Sequence, residues 1–282
     1  MKITVIMGVY NPSRQKELNT AIRSILSQTQ TDFEFLIVDD GSNVSTKEWL
    51  SRYTEIDSRI RIITKEKNKG LASALNTCIE SAKGKYIARM DDDDISEPNR
   101  LEKQYKFLEA NPEYAFVGTN AELIDDNGVF GIRKMPTTPK DKDFLPFSPF
   151  IHPSVMVRRD VYLECGGYEE GKETWRSEDY EIFMRMYAKG YRGYNLQEPL
   201  LQYREDRNSY VKRKYKYRID EAKIRWRYFK GLDAPIFYKS IYVVKPLLVG
   251  LFPKRLIHII KRMQGSKELY NEQKELMSVQ EV

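Results

Sequence analysis

The residues best equipped for chemistry in this chain are acids, and they recur where apolar segments give way to loops or helix starts. Asp39 and Asp40 stand in VDDGS, Asp91 to Asp94 in YIARMDDDDISEPNRL, and Glu178 with Asp179 in WRSEDYE. Neighbouring carboxylates repel by roughly 1 kcal/mol in water and by several at protein-like dielectric, so a run of four must be solvated or neutralised. Each site alone has an ordinary explanation. Asp before Gly-Ser is turn chemistry, acids suit a helix's first turn, and a short charge run suits a solvated face. Together they describe a site in which one acid hydrogen-bonds a base, one holds a metal on a diphosphate and one accepts a proton. Mg2+ and Mn2+ are commonly held by one or two carboxylates plus substrate phosphates. Such a site needs no histidine, and the chain has only two.

The pattern around the acids predicts what positions them. ITVIMGV is a continuous apolar run suited to a strand buried on both faces, and Leu18, Ile22, Ile25 and Leu26 form a helical stripe after it. FEFLIVDD, RIRIIT and YIARM read as three further strands, with a helix between the last two carrying Leu71, Ala74, Leu75, Cys78, Ile79 and Ala82. Gly84 is expected to close that helix as a C-cap. After the aspartates, Ser96 is expected to cap a helix with Pro98 in its first turn and Leu101, Tyr105 and Leu108 at helical spacing. Alternating strand and helix is the pattern of a parallel, doubly wound, Rossmann-like sheet, whose strand carboxyl ends bind ligands.

From about residue 110 the alternation loosens. AFVGTNAELI and a turn at Asp126, Asn127 and Gly128 suggest a hairpin, Met135 to Pro149 a Pro-rich connector, and Val155 to Val157 a short strand. Ser177 is expected to cap a helix whose apolar face is Ile182, Phe183, Met186 and Tyr187. Three segments follow: residues 1–110 as the alternating half of a domain, 111–210 as its looser second half, and 211–282 as a basic helical extension.

At 282 residues, 41% hydrophobic and 31% charged, the chain fits a globular protein with a sizeable core. Cys78 and Cys165 are too few for a disulfide framework or a zinc site. The N-terminal run reads as a strand rather than a signal peptide, and no run of about 18 apolar residues exists to span a bilayer, so a cytosolic location is expected. No G-x-G-x-x-G follows the first strand and no P-loop motif occurs, which excludes the usual dinucleotide and P-loop readings. Charge is unevenly spread. Residues 211–264 hold fifteen Lys or Arg against Asp220, Glu221 and Asp233, so most of the chain is acidic despite a net charge of +6.

ITVIMGVYN, VDDGS, NKGLASALN, GKYIARMDDDDISEPNRL and SEDYE occur in the order and approximate spacing of family 2 glycosyltransferases, which the chain resembles over about residues 1–207. The resemblance implies an inverting enzyme of GT-A fold that uses a nucleotide-sugar, expected to be a UDP-sugar, with residues 1–110 as the nucleotide-sugar-binding half and 111–210 as the acceptor-binding and catalytic half. It implies that Tyr10 and Asn11 lie beside the base, that Asp40 hydrogen-bonds a uracil, and that Asn68 and Gly70 lie near base and phosphates. Asp93 resembles the direct Mn2+ or Mg2+ ligand, with Asp91 or Asp92 reaching the donor ribose or the metal-bound water. Two adjacent aspartates at the third and fourth positions leave the ligand open between Asp93 and Asp94. Asp179 resembles the catalytic base, with Glu178 acceptor-binding or structural. His152 stands where relatives often carry a polar residue near the acceptor cleft, although a lone histidine is more often structural, and Arg204, or Arg207 in its place, resembles a basic residue that meets the diphosphate. AKIRW, residues 222–226, keeps only Arg225 and Trp226 of the signature of processive synthases, so addition of a single sugar is expected.

In PIFYKSIYVVKPLLVGLFPKRLIHIIKRM, short apolar runs lie beside Lys and Arg, which suits a segment lying on an anionic membrane surface; ordinary core helices with snorkelling basic rims, or a homo-oligomer contact, are the other readings. Membrane docking fits a polyprenyl-diphosphate-linked saccharide acceptor, as in capsule, exopolysaccharide or O-antigen synthesis. A sugar nucleotidyltransferase would want a Gly-rich, basic signature where GVYNPS stands. A non-catalytic binder of anionic lipid or nucleic acid leaves the acids unexplained, because they would repel phosphates without a metal.

Overall fold

A computed structural model describes residues 1–205 and 214–280. The strands and helices follow in the order β1 (Ile3–Val9), α1 (Gln15–Leu26), β2 (Phe33–Asp39), α2 (Val44–Ile56), β3 (Ile60–Thr64), α3 (Leu71–Ser81), β4 (Tyr86–Arg89), β5 (Ile95–Ser96) and α4 (Arg100–Ala110). Then come β6 (Phe116–Asp125), β7 (Gly128–Arg133), β8 (Met156–Arg158), α5 (Arg159–Glu164), α6 (Glu178–Ala188) and β9 (Gly193–Arg204). Three helices finish the chain: α7 (Tyr215–Phe229), α8 (Ile236–Val249) and α9 (Lys254–Gln280).

Strands β3, β2, β1 and β4 lie side by side and parallel, as the apolar runs predict. The chain winds outward from β1 to β2 and β3, then returns to place β4 on the other side of β1. That reversal opens a crevice at the strands' carboxyl ends. Beyond β4 the sheet continues through antiparallel β8 to β6, then to β9, parallel to β6, and to β5, antiparallel to β9. The strands of residues 1–110 and those from β6 to β9 therefore share one sheet. β6 and β7 form the expected hairpin.

Alternation along β1 sends Val5, Met7 and Val9 into a core with α1, and Ile6 into a second core with α3 and α6. Ile224 and Phe229 of α7 join this second core, so the basic segment begins as part of the catalytic body. Arg225 is buried there and donates to the Leu145 carbonyl, while Trp226 is exposed, so the two residues of the processive signature point to different environments.

Two local expectations are corrected. Ser96 does not cap a helix: it lies in β5, paired with Leu201 of β9, and its N–H donates to Ser24 Oγ at 3.0 Å. Asn99 occupies the N-cap of α4 instead. Gly84 is not a C-cap either, since α3 ends at Ser81 with Ala82 in extended conformation. Gly84 packs against β1, where an added Cβ would meet Thr4 N at 2.4 Å and Ile3 C at 2.5 Å. Ser177 does occupy the N-cap of α6, but its side chain makes no capping bond. Because the clash at Gly84 is with backbone, Gly84→Ala is expected to lower stability by about 2 kcal/mol or more. Chemical denaturation would measure it, and an unchanged midpoint would show that β1 can give way.

Candidate functional site

The loops that follow β1, β2 and β3 are clamped together at the crevice. Asn11, in a left-handed conformation (φ 41°), donates its N–H to Ser42 Oγ at 2.9 Å, and its Oδ1 accepts from Asn43 N at 2.9 Å. Tyr10 beside it is exposed. Asp40, almost fully buried, accepts from Lys69 N at 3.0 Å and Gly70 N at 2.7 Å, with Lys65 Nζ 3.2 Å away. Gly41 makes this possible: a Cβ there would sit 2.6 Å from Asn68 N. Asp40 thus tethers the start of α3, where the helix's free N–H groups favour an anion. Asn68 is exposed on the same loop.

The aspartate run turns the chain from β4 into β5. Asp91, Asp93 and Asp94 each bring one carboxylate oxygen to within 4.8 Å of the others, while Asp92 is outside this group. Asp94 is buried; Oδ1 accepts from Arg204 N at 2.8 Å and Oδ2 has no partner. Burial first, then Asp91 and Asp92, pushes the Asp93 carboxyl up to about 7. Burial, then Asp91 and Asp93, raises Asp94 well above the usual carboxylate range. Three clustered oxygen donors, one of them on a buried carboxylate with an unpartnered oxygen, and with the charges of Asp93 and Asp94 disfavoured, fit a hard divalent cation. Arg204 closes this side: its Nε donates to the Asp93 carbonyl at 3.1 Å. Its expected substitute, Arg207, lies outside the described residues.

Glu178 and Asp179 open α6 on the facing wall. Burial first, then the Asp179 charge, pushes Glu178 up to about 7, and its Oε2 is buried without a partner. The loop before α6 reaches the nucleotide loops, with Trp175 Nε1 3.6 Å from where a Cβ of Gly70 would lie. Asp40 and the aspartate triad thus follow β2 and β4 at the same carboxyl edge of the sheet, and the loop leading into α6 reaches that edge at Gly70.

His152 is in the core rather than on the crevice surface: its Nε2 lies 2.7 Å from Tyr168 Oη, which lies 2.9 Å from Tyr162 Oη. Burial, and secondarily Arg89, lowers its pKa well below the usual value.

The profile of glycosyl transferase family 2 matches residues 4–166. The chain belongs to this family. The putative glycosyltransferase EpsE of Bacillus subtilis is 38% identical over 273 residues, covering 95% of this chain and 96% of the relative. The O-antigen biosynthesis glycosyltransferase WbnJ of Escherichia coli is 41% identical over 207 residues, 72% of this chain and 79% of its own. A structure of Staphylococcus aureus TarS 1–349 with UDP-GlcNAc superposes with a TM-score of 0.68 at 18% identity, covering 88% of this chain and 72% of that one. The mannosyltransferase PcManGT of Pyrobaculum calidifontis, in complex with GDP-Man and Mn2+, gives 0.63 at 16% identity, with coverages of 95% and 83%. The fold of this family 2 glycosyltransferase is GT-A.

Arg89 and Trp175 were not singled out by sequence, although a lone arginine closing an apolar strand just before four aspartates is a usable signal. The neutral His152 gives a test of its structural placement. The unfolded chain takes up a proton on histidine below about pH 6.5, whereas the folded protein does so only at lower pH. Stability is therefore expected to fall as pH drops below about 6.5, by at most about 1.4 kcal/mol per unit from this group. Urea midpoints at pH 7.5 and 5.5 should differ less for His152→Phe than for the unmodified protein. Equal differences would mean that His152 is protonated in the fold.

Proposed function

We propose that this family 2 glycosyltransferase moves one sugar from a UDP-sugar to a hydroxyl of a saccharide acceptor carried on a polyprenyl diphosphate, inverting the anomeric carbon. The observation that carries the reading is that Asp40, the Asp91–Asp93–Asp94 group and the loop leading into α6 meet at one carboxyl edge of the sheet. The names of WbnJ and TarS's bound UDP-GlcNAc support a UDP-sugar and a cell-surface polysaccharide setting.

The donor base lies against Tyr10 and the 68–70 loop. A uracil offers a ring N–H to the Asp40 carboxylate, which keeps lone pairs beyond its two backbone donors, whereas cytosine has no such N–H. Asp91, Asp93 and Asp94 would hold Mn2+ or Mg2+, which when bound supplies the charge that stabilises the departing nucleoside diphosphate. Arg204 is placed beside the same group and adds a positive charge for the leaving phosphates. On the facing wall Asp179 accepts the proton of the acceptor hydroxyl as that oxygen bonds to the anomeric carbon and the bond to the diphosphate oxygen breaks. Inversion follows because attack and departure take opposite faces. No covalent intermediate with the enzyme forms.

Calorimetry with UDP, GDP, TDP and CDP, each with Mn2+ and with chelator, tests the donor half; UDP preference that depends on Mn2+ is expected. Asp93→Ala and Asp179→Ala should both abolish transfer, but only the first should lose Mn2+-dependent UDP affinity. Equal loss in both would sink the division of roles.

The acceptor half includes a membrane surface. On α8, Phe237, Ile241, Val244 and Leu248 recur at helical spacing and are exposed, and Leu251 and Phe252 continue the patch toward α9. Among the described residues no helix is long and apolar enough to cross a membrane. An apolar face in a segment this basic suits the anionic cytoplasmic leaflet, each free basic residue adding about 1 kcal/mol. Not every cation is free for lipid: Arg262 pairs with Asp125 at 2.8 Å and Lys245 donates to the Pro146 carbonyl. The protein is expected to sediment with anionic but not zwitterionic vesicles, and a Phe237→Ser, Leu251→Ser, Phe252→Ser triple variant to stay in the supernatant. Undiminished sedimentation of the variant would rule this surface out.

A further inference from the structure

Arg89 is one of the largest fully buried side chains, 1% exposed, and the roles assigned above leave it unused. Its Nη2 lies 2.5 Å from Asp91 Oδ1, while Nε and Nη1 are buried without a hydrogen-bond partner. Burial alone would push its pKa down, but Asp91 first, then Tyr168 and Asp94, outweigh it, so the group is held charged. The same charge acts on Glu178, whose Oε2 is also buried and unpartnered. Glu178 is faced by Asp179, Arg89 and Arg176. Ile87, two positions earlier on the same face of β4, packs into the core that holds Ile182 and Phe183 of α6, so the guanidinium lies on the α6 side of the sheet as well as against Asp91. A rigid, permanently charged fork can serve both, where a lysine offers one mobile point charge.

We propose that Arg89 is a positioning residue for glycosyl transfer: its Nη2 fixes Asp91 for the metal, and its charge holds the Glu178 end of α6, and Asp179 with it, opposite the donor. The proposal rests on the reading of the two walls given above. The backbone of Arg89 is anchored independently, its N–H donating to Val155 O at 2.9 Å and its carbonyl accepting from Arg100 Nη2 at 3.0 Å. Changing the side chain therefore leaves these strand contacts available.

The test uses two readouts on the full chain with Arg89→Gln and Arg89→Lys: calorimetry of UDP with Mn2+, and a carbon-13 titration of the metal-free protein's glutamate carboxyls, with the Glu178 signal identified through Glu178→Gln. Arg89→Gln should weaken Mn2+-dependent UDP binding by about tenfold and move the Glu178 titration to higher pH. Arg89→Lys should leave the Glu178 titration near its original position, because the charge remains, yet still weaken UDP binding, because the fixed geometry is lost. Folded variants with unchanged UDP affinity and an unmoved Glu178 signal would overturn the proposal. If Arg89→Gln fails to fold, Arg89→Lys decides, and unmodified affinity in that variant overturns it too. If the unmodified protein binds no UDP with Mn2+, the reading of the site falls and this proposal with it; if it binds and the variants match it, only the role of Arg89 falls.

Discussion

The Arg89–Asp91 ion pair shapes the carboxyl edge of the sheet because it sets a fully buried positive charge directly against the first carboxylate of the aspartate run. A guanidinium is among the most costly groups to take out of water, and a buried pair of this kind adds little net stability. What it confers is definition: a fixed partner at the strand's last residue sets where the first aspartate points before the chain turns. The turn then delivers Asp94 inward, where the backbone of Arg204 meets it. Charge and strand pairing cooperate here, since β5 and β9 must pair for that bond to form.

The crevice is built from segments far apart in sequence. Gly41 passes beneath the backbone of residues 67 and 68, and Trp175 lies against Gly70, so the nucleotide-side loops and the loop before α6 support one another. The wall contributed by residues 1–110 is held by short loops between parallel strands. The opposite wall depends on α6, which is packed by Ile182, Phe183 and Met186 into the same core as α3. Such a core fixes where the helix starts, and so where its first-turn acids stand.

Much of this could be read from sequence because it is local. Uninterrupted apolar runs such as ITVIMGV and FEFLIV announce strands covered on both faces, and the ordered acidic motifs announce the family. The exceptions are long-range. Ser96 looks like a helix cap from its neighbours, but Leu201 claims it for a strand, a pairing no local pattern encodes. Gly84 follows a helix as a cap would, yet its smallness is required by Thr4, eighty positions earlier. For His152 the sequence leaves an acceptor-side and a structural role open, and the Tyr168 and Tyr162 hydroxyls that hold it in the interior come from a segment its neighbours in sequence do not announce. Arg89 was hidden by its strand, which reads as apolar around it.

β7 pairs only with β6 among the described strands, so its outer side is an open edge. α9 lies across it: Ser266 Oγ donates to the Phe130 carbonyl at 3.0 Å, and Gly265 backs onto Gly131 so closely that a Cβ at Gly131 would meet Gly265 C at 2.7 Å. Open edges recruit strands from other molecules. The last helix is thus a guard against self-assembly as well as part of a basic extension, and a chain ending before Lys254 would expose a template for intermolecular sheet growth beside its own catalytic domain.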